Sequence, residues 1–317
     1  MSSLKGDETM AKVTKLDNVA SWTMVGKSTN AKKIADALKQ VGLDFEVEKR
    51  PIFFGPEMKK IANFVATVRT DNEVEMGVVG KGYEICQNQK SFEFADYIDE
   101  NLKFTRGGIT YSGLCWIIGE MPSIKILGED YTPCLCLQNS FNGKYCLRAN
   151  IVALHNASGS QINMAFNEIS NTIKVKHTTS LPSKMKQGQE TLAAVSEYMN
   201  GLRKVAEKYA DIKMDKEQIE MFLSVLFPTR KDMSEHVKAR VIDNRKRFLS
   251  CYDDEGNKKN YGTAWGLIRA YADYTTHTIG KDTKTKYERK FMEVTLGKNN
   301  FGSFLKKLNE VTGTKVI

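Results

Sequence analysis

The sequence predicts an α+β protein, with a mostly antiparallel sheet and two helices in the N-terminal half and a helical, basic C-terminal half. Three observations carry this. Residues 72–99 read as strand, glycine turn, strand and helix, the last marked by a change of apolar period from two to between three and four. Two alternating apolar runs flank Ser140-Phe141-Asn142-Gly143, and Asn-Gly in that setting is a strong hairpin signal. From Gln189 onward apolar residues recur every three or four positions, as on the buried stripe of a helix.

Taken in order, residues 1–20 read as an arm, 21–180 as a β-rich α+β domain, and 181–317 as a helical basic region packed on it or following it. Trp22 anchors a short first segment. A helix is predicted over 31–40, capped by Thr29 or Asn30 and stopped by Gly42. Strands follow over 43–54 and 63–69. In the 72–99 unit, Val74, Met76 and Val78 alternate as a strand. Gly80-Lys81-Gly82 suits a turn with φ > 0, and Tyr83 and Ile85 extend beyond it. Phe92, Ala95, Tyr97, Ile98 and Leu102 then fall at helical spacing behind Asn88 or Ser91 as N-cap. Strands are expected over 109–121, 131–139, 144–155 and 173–177. The predicted helices of the second half begin at Gln189, at Asp215 as N-cap, at 234–251, at 263–277 and at 301–309, with a polar turn over 253–260.

The chain has 317 residues, 41% apolar and 27% charged, enough for a real core and too ordered in composition for a fibrous or disordered protein. No apolar run approaches the 18 residues of a membrane span, and the N-terminus carries no apolar signal core, so a cytoplasmic protein without membrane contact is expected. The six cysteines fit neither a CxxC pair nor a zinc spacing, which predicts free thiols, with Cys134 and Cys136 on one strand face.

Net charge is +9, and all of it lies in one half: residues 1–150 hold 19 Lys/Arg against 19 Asp/Glu, and residues 151–317 hold 28 against 19. Such asymmetry points to a polyanionic partner, most simply nucleic acid. No catalytic signature accompanies it. GxSxG, Walker and HExxH motifs are absent, the Gly77-x-x-Gly80-x-Gly82 run lacks a βαβ context, and the four histidines are scattered singly. Asp253-Asp254-Glu255 does not match a cation-binding loop and reads as a solvated turn. No enzyme activity, cofactor or metal is therefore expected.

The candidate nucleic-acid-binding residues are cations with aromatics between them. Lys174 and Lys176 alternate on one strand face; Arg240, Arg245, Lys246 and Arg247 lie on the 234–251 helix. Lys258, Lys259 and Tyr261 follow it, and Lys284, Lys286, Arg289 and Lys290 come after the Trp265 helix. Phosphates need such cations, and Tyr261 in its polar turn is the stacking candidate, whereas Tyr271 and Tyr274 fall on an apolar helix face. Arg245, Lys246 and Arg247 are consecutive, about 100° apart on a helix, so they cannot all face one core.

Several of these stretches resemble a phage- and plasmid-borne domain-of-unknown-function family, the one numbered 932. The resemblance rests on Trp22 with Gly26, Val68-Arg69-Thr70-Asp71, Gly77 to Tyr83, Gln87-Asn88 with Phe92, and Asn139-Ser140 with Gly143. It continues through His177-Thr178, Leu226-Phe227-Pro228, Asn244-Arg245 and Thr263-Ala264-Trp265-Gly266 to His277. Leu154 stands where that family often carries a cysteine. The resemblance implies a mobile-element context, and helix, short antiparallel sheet and helix is also the build of single-strand annealing recombinases. The expected function is non-catalytic binding of nucleic acid, most simply single-stranded DNA in recombination or replication, by a homo-oligomer. The alternatives are a phage protein that binds and inhibits a host protein, and a metal-dependent nuclease without a visible motif.

Overall fold

The computed structural model describes residues 19–165, 169–175, 180–278, 285–297 and 300–314. The fold is α+β, and its strand ladders are antiparallel. A 3-10 turn at Ser21–Met24 leads into β1 (Lys27–Ser28) and α1 (Ile34–Val41). A three-stranded ribbon follows: β2 (Val47–Phe54), β3 (Lys59–Arg69) and β4 (Glu75–Gly80). After α2 (Asn88–Phe92) and a 3-10 turn (Glu93–Tyr97) come β5 (Lys103–Ile109), β6 (Leu114–Glu120), β7 (Ile124–Ile126), β8 (Glu129–Ser140), β9 (Arg148–His155), β10 (Gln161–Ile162) and β11 (Thr172–Lys174). With β1 these seven form one sheet in the order β1-β5-β6-β8-β9-β10, in which β11 also pairs with β9 and β7 with β8. Helices α3 (Leu181–Asp211), α4 (Lys216–Leu226), α5 (Glu235–Tyr252), α6 (Ala264–His277), α7 (Lys286–Thr295) and α8 (Phe301–Thr312) complete the chain, with a 3-10 helix at Glu255–Asn260 between α5 and α6.

The large sheet is buried on both faces, which is why β6 and β8 are written as near-continuous apolar runs. One face joins a core that takes in α1, α3, α6 and α8, from Ile34 and Leu38 through Leu135, Leu137 and Ile151 to Leu202, Trp265 and Phe304. The other packs Trp116, Cys134, Cys136 and Val152 against Trp22 and Phe291, with the Trp116 and Phe291 rings 4.3 Å apart. Cys134 and Cys136 do share a face.

Several expectations are corrected. The 109–121 run is not one strand: Gly113 at φ +79° turns it, so β5 ends at Ile109 and β6 starts at Leu114. β5 itself, Lys103–Ile109, is hard to see because Gly107 and Gly108 interrupt its alternation. The extension after Gly82 forms no strand, and the helix predicted behind it breaks into the five residues of α2 and a 3-10 turn. Asn88 and Ser91 do not cap it. The N-cap is Gln87, whose side chain instead pairs with the Val47 backbone in both directions, at 3.0 and 2.8 Å. Gly80 and Gly82 have no positive φ. The N-terminal half holds four helical segments, α1, α2 and two 3-10 helices, so count and placement differ from the two helices expected, and α1 starts at Ile34 with Lys33 as its N-cap. In the second half α3 begins eight residues before Gln189, capped by the Ser180 hydroxyl, and α7 was not foreseen. Asp215 caps α4 through a full capping box with Gln218.

Candidate nucleic-acid interface

The predicted cations fall on four elements, and their carboxylate neighbours separate them. On α5, Arg245 is ion-paired with Glu220 of α4, and Arg247 with Asp243 one turn back. Arg240 and Lys246 are exposed and have no carboxylate partner among the described residues. In the following 3-10 helix, Lys258 pairs with Glu255 at 3.1 Å, and Lys259 reaches Glu129 at 3.3 Å. Tyr261 is 54% exposed, with one ring face against Tyr252 at 4.8 Å between centroids. Tyr271 is buried and stacked on Phe304 at 4.1 Å, so it belongs to the core.

On α7, Lys290 is an internal strut. Its Nζ donates to the Thr275 carbonyl at 2.8 Å and sits 3.3 Å from Glu293. Burial holds its pKa below the ordinary 10.5, against the pull of Glu293. Lys286 lies over the Tyr287 ring at 4.8 Å, and Arg289 is exposed. α7 packs chiefly on the Ser21–Met24 turn and also touches α6, on which α5 packs, so these cations share a neighbouring helix but not an element. Lys176 and Lys284 lie outside the described residues.

Lys174 is the most suggestively placed. It ends β11 directly opposite Arg148 of β9, so two cations stand as a cross-strand pair. Like charges in that position repel. Lys174 also lines a cleft of about 220 Å³ between β11 and the first turns of α3, with Lys186, Ser183, Gln187 and Thr191 around it. The cleft contains one carboxylate, Glu190, 3.9 Å from Lys186. Arg148 and Lys186 were missed from sequence, because neither lies in a basic run: their proximity to Lys174 comes from strand register and helix docking.

A second charged group lies at the junction of sheet and helices. Glu129 is ion-paired with Arg269 of α6 and lies 3.4 Å from His155 Nε2 and 3.3 Å from Lys259. Arg269 is 2% exposed and also reaches the Tyr131 hydroxyl at 3.3 Å. His155 Nδ1 accepts the Ser158 amide N–H at 3.2 Å, which leaves the ring proton on Nε2, facing the carboxylate. Burial pushes the Glu129 pKa up, but His155, Arg269 and Lys259 together hold it below the ordinary 4.5. Arg269 spends its two terminal nitrogens inside the group, on Glu129, Tyr131 and His155, as in a structural ion cluster, while its buried Nε meets no acceptor among the described residues. Among the described residues no group of three or more His, Cys, Asp or Glu is placed to hold a metal ion, and no helix is long and apolar enough to cross a membrane.

This α+β sheet-and-helix fold thus carries a cleft lined by two lysines and one glutamate. Over residues 75–294 the chain matches the family described as Domain of unknown function (DUF932), and it belongs to that family. No curated protein and no solved structure matches it.

Proposed function

We propose that the protein binds nucleic acid without catalysis, with single-stranded DNA as the favoured ligand, in recombination or replication. The observation that carries this is the Lys174–Arg148 pair beside a cleft that also holds Lys186. Two cations opposite each other on neighbouring strands cost free energy in the isolated protein, and a phosphate between them turns that repulsion into attraction. Arg240 and Lys246 on α5 supply further exposed charge that no described carboxylate neutralises. The surplus of nine cations in residues 151–317 gives the field that would draw in a polyanion.

The test is fluorescence anisotropy of labelled single- and double-stranded oligonucleotides across a salt series. Lys174→Ala with Lys186→Ala is expected to weaken binding of all sequences alike. The slope of log affinity against log salt should fall by about 0.7 for each single-strand phosphate that the variant no longer neutralises. Arg240→Ala with Lys246→Ala tests α5 in the same way. Absence of binding to either oligonucleotide at low salt overturns the proposal. Binding that neither double variant alters moves the site off both surfaces.

A further inference from the structure

The ribbon β2-β3-β4 presents the wrong residues to solvent. Its two faces are fixed by register. Thr67, Val79 and Gly77 lie on one face, and that face sits on the body: the Thr67 hydroxyl donates to the Phe141 carbonyl at 2.7 Å, and a side chain at Gly77 would run into Asn142. The opposite face therefore points outward. It carries Phe64, Ala66 and Val78, with Ala66 paired across to both Arg50 and Val78. An antiparallel sheet with one face on the core normally carries polar side chains on the other. Here Phe64 is 50% and Val78 53% exposed. Toward the tip Phe53 and Phe54 are both exposed, and consecutive strand residues point to opposite faces, so the outward face gains one of them.

Charge narrows the occupant. Residues 47–81 hold six Lys/Arg and five Asp/Glu, a net of +1 in a chain of +9. Arg50, beside Ala66 on the outward face, is held by Glu48 at 2.7 Å and Glu73 at 3.2 Å. Lys59 is paired with Glu57 and Arg69 with Asp71, each at 2.7 Å. This is a poor surface for a polyanion and a suitable one for a copy of itself: an apolar face on a ribbon close to neutral overall meets its twin with little like-charge repulsion. The free edge of β2 is the less suitable route. Pro51 has no N–H to give, and the register slips between Pro51 and Phe53. We infer that the outward face of the ribbon packs face to face on the same face of a second copy, joining two chains through Phe64, Ala66 and Val78. Sheets packed this way lie about 10 Å apart with interdigitated side chains. The inference stands apart from the nucleic-acid proposal, because it uses none of the same residues.

Light scattering coupled to size-exclusion chromatography of the full chain at micromolar concentration reads the mass directly. The wild type is expected at twice the single-chain mass or a higher multiple. Phe64→Glu with Val78→Glu, which sets like charges against each other across the interface, is expected at the single-chain mass. Phe64→Gln is a milder variant that places no charge, and it should shift the equilibrium toward the single chain on dilution. Both residues changed are exposed, so thermal unfolding of the variants, followed by circular dichroism, should stay close to wild type. A single-chain mass for the wild type overturns the inference. So does an unchanged mass for folded Phe64→Glu, Val78→Glu protein. If that variant keeps its mass but loses oligonucleotide affinity with an unchanged salt slope, the face stacks bases instead, and the inference is again overturned.

Discussion

Whether a side chain is available for chemistry is decided, at the residue scale, by a few ångströms of surroundings. The cysteines illustrate it. Cys115, Cys134 and Cys136 are fully buried, and burial pushes the thiols of Cys115 and Cys136 up to about 12 and Cys134 well above its ordinary value. A thiolate is the reactive species, so these three are inert at neutral pH. Cys251 is buried as well, Cys86 is half-buried with its pKa raised, first of all by burial, and Cys146 is exposed in the β8–β9 connection. Labelling of the native protein with a thiol reagent at pH 7.5 should modify Cys146 first and leave the buried four untouched until the chain unfolds. Rapid modification of any of these four, located by mass spectrometry, would contradict this burial. The cations obey the same logic. Lys246 and Arg247 are adjacent in sequence, yet Asp243 engages Arg247 and leaves Lys246 to solvent.

Elements are held where they are by close approaches that sequence marks only as glycine. α6 is buried along nearly its whole length, and Thr263 caps it by accepting the Gly266 N–H at 3.1 Å. A Cβ at Gly266 would overlap the Asn260 carbonyl, which belongs to the preceding 3-10 helix. At Gly80 nothing lies within 4 Å of such an atom, and φ is not positive. Gly266→Ala is therefore expected to lower stability by about 1–3 kcal/mol through overpacking. Gly80→Ala should change it by less than about 0.5 kcal/mol. Urea midpoints of the two variants check the contrast, and equal midpoints would show that the α6 approach has room to give. Three of the residues that carry the family resemblance behave alike. Gln87 clips β2, Asn139 donates to Asn88 Oδ1 at 3.0 Å, and Asn88 donates to the Leu43 carbonyl at 3.0 Å. They build the fold and touch no cationic cleft.

At the scale of the whole molecule, Glu129 ties sheet to helices. It sits on β8, and its partners come from β9, from α6 and from the 3-10 helix before α6. Glu129→Gln leaves Arg269 buried without its counter-charge and should cost about 3–5 kcal/mol. The pH dependence has a definite sign. The folded-state pKa of Glu129 lies below the ordinary 4.5, so near that pH the unfolded chain binds more protons. The stabilisation is complete above pH 4.5 and is lost as pH falls through the depressed folded value. Melting temperatures of wild type and Glu129→Gln should therefore converge as pH drops below that point. A gap that stays constant from pH 7 to pH 3 would mean the carboxylate charge is not what the junction uses.

Local order was legible in the sequence because it depends on near neighbours. Helical period marked α4, α5, α6 and α8, Asp215 announced the cap of α4, and Gly42 the end of α1 in an αL conformation. The hairpin of β8 and β9 followed from two alternating runs around Asn142-Gly143. The 100° step between helical residues was enough to put at least one of Arg245, Lys246 and Arg247 in solvent. Which one was settled by tertiary structure, since the partner of Arg245 lies 25 residues away on another helix. The sheet–helix ion cluster joins residues 140 apart, and the Lys174–Arg148 pair exists only through strand register. Alternation in β3 and β4 states that the ribbon has two faces, but packing alone decides that the face with Thr67 is covered and the face with Phe64 is left open. Propensity and period act over a few residues, whereas charge compensation and burial are properties of surfaces that meet only once the chain has folded.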